Sequence, residues 1–150
     1  MPSAPSPDAA AAQVHGCSCQ RLRKLSRLVS QRYDQALAPA GLNVNQFAIL
    51  RRAQAAPRSI SALAAELGMD RSTLSRDLKP LAAAGWVRLR ADRDDGRQRR
   101  VELTAGGRRA IERAAPLWAA TQASLESTVG VDDVGRLHAI LDLATERLAP

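Results

Sequence analysis

Apolar residues recur along this chain at two periods, and the change from one to the other divides it into segments. From Cys19 to about Leu37, Leu22, Leu25, Val29, Tyr33 and Ala36 repeat at near-heptad spacing while Arg21, Arg23, Lys24 and Arg27 take other faces. That spacing predicts a helix, stopped by Pro39 and Gly41. Asn43 with Gln46 three residues on has the spacing of a capping box. The helix it opens has Phe47, Ile49, Leu50 and Ala53 as its apolar side and ends by Pro57.

Next comes the stretch on which the rest depends, Ser59 to Thr104. Ser59 or Ser61 caps a short helix running to Leu67, with Ala62, Leu63 and Leu67 as its apolar side. Gly68 supplies the left-handed position that ends it. Asp70 is placed to cap a second helix, in which Leu74, Leu78 and Leu81 fall at i, i+4 and i+7. Arg71, Ser72, Thr73, Ser75 and Arg76 are left on its other faces, with Lys79 and Pro80 further along. Gly85 ends this helix, and the period then drops to two. Trp86–Arg90 and Arg99–Leu103 alternate apolar and polar, as half-buried strands do. The polar loop between them carries an Asp-Gly pair and projects Arg93 and Arg97 at a hairpin tip.

Thr104 caps a long helix from about Ala105 to Thr128. Pro116 inside it is expected to kink or divide it, and Leu117, Trp118, Thr121 and Leu125 continue its apolar stripe. Gly130 breaks the chain. A last helix opens on Val131-Asp-Asp, where acidic side chains suit the positive end of the helix dipole. Val134, Leu137, His138, Leu141, Ala144 and Leu148 line one side of it.

The fold class expected is therefore mainly α with a small β-wing. A winged helix–turn–helix spans about 43–104, with flanking helices over about 19–38 and 105–149. Residues 1–16, rich in Ala, Pro and Ser, are expected to form a disordered arm, leaving 17–150 as one folded body. At 150 residues the chain is long enough for a core. It lacks the basic-then-apolar start of a signal peptide and any apolar run of membrane length, so the expectation is a cytoplasmic protein with no membrane partner. A net charge of +7 favours a polyanionic partner, and the basic residues crowd into Arg71–Arg109.

The run LAAELGMDRSTLSRDLKPLAAAGWVRL…DRDDGRQRRVELTAGG resembles the MarR family of bacterial transcriptional regulators. Its most specific part is the Asp-Arg-x-Asp-Gly-Arg wing followed by Leu-Thr-x-x-Gly. The resemblance implies a homodimer interlocked through its terminal helices. A twofold dimer offers two recognition helices to half-sites about one helical turn apart, hence a pseudo-palindromic double-stranded DNA operator. On the recognition helix the expected DNA contacts are Arg71, Ser72, Thr73, Ser75, Arg76 and Lys79. On the wing they are Arg93 and Arg97, with an Arg at the place of Arg97 reaching the minor groove and Asp92 or Asp94 bracing it. Arg99 and Arg100 are either phosphate contacts or merely exposed strand residues. The resemblance also implies a repressor released by an effector.

Two sensor sites are candidates. One is a cleft for a small aromatic anion, drawn from Tyr33, Asn45, Phe47, Arg51 and Trp118. The other is Cys17 and Cys19 with His15, which offer soft ligands and oxidisable thiols. Residues i and i+2 of a helix point roughly 200° apart, so the two thiols meet only in an extended stretch or across two subunits. The plainer alternative is that Cys19 packs in the core. No phosphate loop, catalytic triad, paired carboxylates or zinc-ligand set is present, so neither an enzyme nor a cofactor is expected. The rival readings are a nonspecific architectural nucleic-acid-binding protein and an interaction domain that has lost DNA binding.

Overall fold

The structure is a computed structural model that describes residues 16–150. The expected N-terminal arm lies outside the described residues except for Gly16, and so does His15. The elements in order are helices α1 (Ser18–Leu37) and α2 (Val44–Ala55), strand β1 (Arg58–Ser59), and helices α3 (Ile60–Glu66) and α4 (Arg71–Ala83). Strands β2 (Val87–Ala91) and β3 (Arg99–Leu103) follow, then helices α5 (Ala105–Val129) and α6 (Val131–Leu148). A short 3-10 turn, Ala38–Ala40, follows α1.

The chain divides into two compact units, one ending at Arg32 and the other running from Tyr33 to Pro150. In the first, the described residues are the opening turns of α1. Leu22, Leu25 and Leu28 are all exposed there. Of the heptad stripe read from the sequence, Leu22 and Leu25 face solvent within the protomer, Val29 and Ala36 are half-buried, and Tyr33 is buried.

The second unit holds the core. Leu37, Ile49, Leu50, Leu63, Leu74, Leu78, Leu81 and Val101 are fully buried. Local chemistry sets the ends of its helices. Asn43 accepts from Gln46 N at 2.8 Å, and the Gln46 side chain accepts from Asn43 N at 3.1 Å, completing the capping box. Ser59 Oγ accepts from Ala62 N at 3.1 Å, so Ser59 rather than Ser61 is the cap of α3. Gly85, at φ 72°, closes α4: its N–H bonds Ala82 O and that of Trp86 bonds Leu81 O.

The three strands form an antiparallel sheet in the order β1-β3-β2. Val87 faces Leu103 and Ala91 faces Arg99, which makes β2–β3 the wing. The sequence reading did not include β1. Its two residues pair with Val101 and Arg100 and fasten the root of the wing to the start of α3.

Helix α5 continues through Pro116 without dividing, contrary to one of the two outcomes expected. Pro116 and Glu112, whose carbonyl loses its donor, are both exposed, on the side of the helix where a missing backbone bond costs least. Thr104 caps α5 by accepting from Gly107 N at 3.0 Å, and its hydroxyl donates to Gly85 O at 2.6 Å. One side chain thereby ties the end of α4 to the start of α5. On α6 only Val134 is buried; Leu137 and Leu141 are half-buried, while His138, Ala144 and Leu148 are exposed.

Candidate nucleic-acid interface

The first turn of α4 is organised by Asp70. Its carboxylate accepts from Thr73 N at 2.8 Å, Ser72 Oγ at 2.6 Å and Thr73 Oγ1 at 2.9 Å. These bonds, that of the Ser72 hydroxyl foremost, hold its pKa down at about 2. Arg76 in turn donates to Thr73 Oγ1 at 3.2 Å. This changes the standing of two expected contacts. The hydroxyl groups of Ser72 and Thr73 donate to the cap, which leaves their oxygens only accepting capacity toward any further partner. Arg71, Ser75, Arg76 and Lys79 stay exposed around them. Among the described residues the basic members of that set have no ion pair.

The wing is built by its acids. Register places Arg90 directly opposite Arg100, a repulsive pair on its own. Each is relieved by a carboxylate: Arg90 Nε lies 3.2 Å from Glu102 Oε2, and Arg100 Nε lies 3.2 Å from Asp92 Oδ2. Asp92 also accepts from Asp94 N at 2.9 Å, and that bond together with Arg100 lowers its pKa. Asp95 accepts from Arg97 N at 3.1 Å. The brace expected of Asp92 or Asp94 on Arg97 is therefore absent. Asp92 is engaged by Arg100, and Asp95 holds the backbone of Arg97. The guanidinium groups of Arg93 and Arg97 are left exposed and, among the described residues, without an ion pair.

The fold that carries these arginines is shared with proteins of known structure. The chain is 39% identical to the transcriptional regulator MosR of M. tuberculosis in complex with DNA, over 89% of this chain and 99% of that one, with a TM-score of 0.76. The model of the MarR family matches residues 40–98. The chain belongs to the MarR family. At 24% identity the fold alone is shared with the repressor CouR bound to a 23-mer DNA duplex, covering 89% of this chain and 95% of that one (TM-score 0.79). The same holds, also at 24% identity, for a mutant of MarR from E. coli complexed with operator DNA, covering 83% and 91% (TM-score 0.75). No curated protein matches the sequence.

In this MarR-family chain the sensor candidates separate into two places. A cleft of about 370 Å³ is lined by Val44, Phe47, Ala48, Arg51, Arg52, Leu67 and Trp118. Its volume sits at the small end of the ~300–1,000 Å³ typical of ligand sites. The Phe47 and Trp118 ring centroids are 6.3 Å apart, and the Arg51 guanidinium lies 5.9 Å from the centre of the Phe47 ring. Tyr33 stands behind this wall, stacked on Trp118 at 6.3 Å. Its hydroxyl donates to Gln122, and burial, with the Glu126 charge second, raises its pKa. Asn45 is not part of the cleft. Val44 and Leu67 are, although the sequence marked Leu67 only as an apolar helix position and Val44 not at all.

Cys17 and Cys19 are both exposed free thiols at the start of α1, so Cys19 is not a core residue. The two flank Ser18, the first residue of the helix. No group of three His, Cys, Asp or Glu among the described residues is placed to hold a metal. No helix among them is long and apolar enough to cross a membrane.

Proposed function

We propose that this MarR-family chain is a homodimeric, sequence-specific DNA-binding transcriptional regulator that acts in the cytoplasm as a repressor and is not an enzyme. The observation that carries the reading is the pairing of two basic devices on one winged helix–turn–helix. Arg71, Arg76 and Lys79 on α4, and Arg93 and Arg97 on the wing, are exposed and, among the described residues, have no ion pair. The relative crystallised with DNA at 39% identity supports it. Helix α4 enters a major groove, and the wing reaches the neighbouring minor groove, where Arg gains most over narrow A/T-rich segments.

Dimerisation is supported by apolar surface that the protomer leaves open. Leu22, Leu25 and Leu28 are exposed on α1, and so are Ile140, Leu143 and Leu148 on α6. The cleft beside Trp118 is the proposed effector site, and its Arg51 and aromatic walls suit a small aromatic anion. A ligand that prefers one spacing of the two reading heads shifts the population away from the spacing that fits DNA. Cys17 and Cys19, both exposed at the start of α1, are the proposed site of an oxidative or soft-metal signal acting between subunits.

Selection from a random duplex library, followed by anisotropy titration at fixed salt, tests the reading. Arg76→Ala and Arg97→Ala should each weaken binding by about 1–3 kcal/mol. Equal affinity for the selected and a scrambled duplex would instead favour a nonspecific architectural protein. Titrating the bound complex with aromatic acids or peroxide, for the wild type and for the Cys17→Ala/Cys19→Ala double variant, assigns the effector.

A further inference from the structure

The cleft beside Trp118 is fastened, wall by wall, to two consecutive residues of α1. We propose that Tyr33 and Asp34 are positioning residues that couple the cleft to α1, so that a ligand parting Phe47 from Trp118 displaces that helix. This role rests on the effector and DNA-binding readings above and names the side chains through which the first would act on the second.

The Phe47 and Trp118 ring centroids lie 6.3 Å apart with 33° between the planes, already inside the ~4.5–7 Å range of rings in contact. A flat aromatic ligand enters between them only if one ring yields. Phe47 is 4% exposed and belongs to the core, whereas Trp118 is 38% exposed. Trp118 is therefore the wall that moves.

What stands behind Trp118 decides where its displacement goes. Tyr33 stacks on it, with centroids 6.3 Å apart and 27° between the planes, and is itself only 6% exposed. Its hydroxyl donates to Gln122 Oε1, and the same amide donates to Glu126 Oε1 at 2.8 Å. Trp118, Gln122 and Glu126 follow one another at i, i+4 spacing and so form one stripe along α5. Tyr33 holds that stripe twice, by its ring and by its hydroxyl.

The opposite wall is tied to the next residue. Asp34 Oδ1 accepts from Val44 N at 2.8 Å. Val44 opens α2 and lines the cleft together with Phe47. An N–H in the first turn of a helix has no partner within the helix, so Asp34 supplies a bond that α2 cannot make for itself. Successive residues of a helix point roughly 100° apart, which lets Tyr33 reach α5 while Asp34 reaches the start of α2.

Both walls thus end on adjacent positions of one helix. Widening the cleft either breaks a tie or turns α1. Breaking one leaves a half-buried Gln122 oxygen or the Val44 N–H without its partner, so turning α1 is the easier response. The same helix carries Leu22, Leu25 and Leu28, the surface proposed above for the partner subunit. A turn of α1 is then a change in the spacing of the two reading heads.

The test measures anisotropy of the selected duplex with and without saturating benzoate or 2-naphthoate. Trp86 and Trp118 are the two tryptophans of the chain, so uptake by the cleft is read as quenching of Trp118 in a Trp86→Phe background. In the wild type the carboxylate should weaken duplex binding by about 5–150-fold, the usual range for two coupled sites. Gln122→Met and Asp34→Ala should still show the quenching, yet the weakening should shrink toward unity. Tyr33→Phe should lose it as well. Asp34→Asn keeps an accepting oxygen and should retain the wild-type ratio. Wild-type weakening in Tyr33→Phe, Gln122→Met and Asp34→Ala would overturn the coupling, and so would quenching in the wild type with no change in duplex affinity. Absence of quenching by either carboxylate would overturn the effector reading of the cleft, and this role with it, while leaving DNA binding intact. Failure to select any duplex would overturn the DNA-binding reading itself.

Discussion

Gly106 and Gly107 are neighbours in the first turn of α5, yet alanine at the two positions should act in opposite directions. A Cβ on Gly107 would lie 2.2 Å from Trp86 O and 2.5 Å from Leu103 Cδ1. The Leu103 methyl can turn aside, but the carbonyl is backbone. It also accepts from Thr104 N at 3.1 Å, so it cannot withdraw without stretching the bond that joins the turn before β2 to the cap of α5. Forcing extra volume into a packed contact costs about 1–3 kcal/mol, and a weakened hydrogen bond adds ~0.5–1.5 kcal/mol. Against this stands the gain of roughly 1 kcal/mol from replacing glycine in a helix. Gly107→Ala should therefore destabilise the protein by about 1–3 kcal/mol. At Gly106 the nearest atoms lie at 3.5 Å, an ordinary contact. Gly106→Ala should stabilise by ~0.4–1 kcal/mol, through the reduced freedom of the unfolded chain. For a chain of this length each kcal/mol moves Tm by roughly 2–4 °C. Thermal melts at one fixed protomer concentration should show Gly107→Ala several degrees below wild type and Gly106→Ala slightly above it. A Gly107→Ala protein as stable as wild type, or both variants moving together, would refute the close approach of α5 to the turn before β2.

Two further outcomes follow from ionisable groups. The folded pKa of Asp70, about 2, lies below the ordinary 3.8, so its cap is fully present above the ordinary value and is lost as pH falls through the folded one. The Thr73 amide resonance should therefore titrate with a midpoint near 2; a midpoint at the ordinary carboxylate value would rule out the cap. Tyr33 has the opposite sign. Its raised pKa means that its contribution is whole below the ordinary value of 10.0 and falls as pH climbs through the folded value. Tyr33→Phe should cost about 1 kcal/mol at neutral pH by removing the bond to Gln122. It should also lessen the alkaline loss of stability; an unchanged alkaline limb in urea titrations would count against this assignment.

Much of the architecture was legible in the residue order because it depends on neighbours within about four positions. Asn43 with Gln46, Asp70 with Thr73, and Thr104 with Gly107 are capping pairs whose two members sit three residues apart. Gly68 and Gly85 end α3 and α4 through their own positive φ of 61° and 72°. The exposed α4 arginines followed from the faces left over once Leu74, Leu78 and Leu81 were assigned inward, and the wing arginines from the polar Asp-Gly loop between two alternating strands.

The remainder depended on contacts between distant residues, to which local spacing is blind. Two residues are too few for periodicity to announce β1, which exists because Arg58 and Ser59 meet β3. The partner of Asp92 is decided by strand register, which presents Arg100 and not Arg97. Spacing leaves Arg99 open between phosphate contact and exposed strand residue, and only folding brings it to a hollow that Arg71 also lines. The close approach at Gly107 is invisible until Trp86 arrives from the preceding turn. Composition and spacing thus determined where helices start and stop and which arginines face outward. Tertiary packing alone decided which charges are compensated and which are left to a partner, because compensation depends on distance in space and not on separation along the chain.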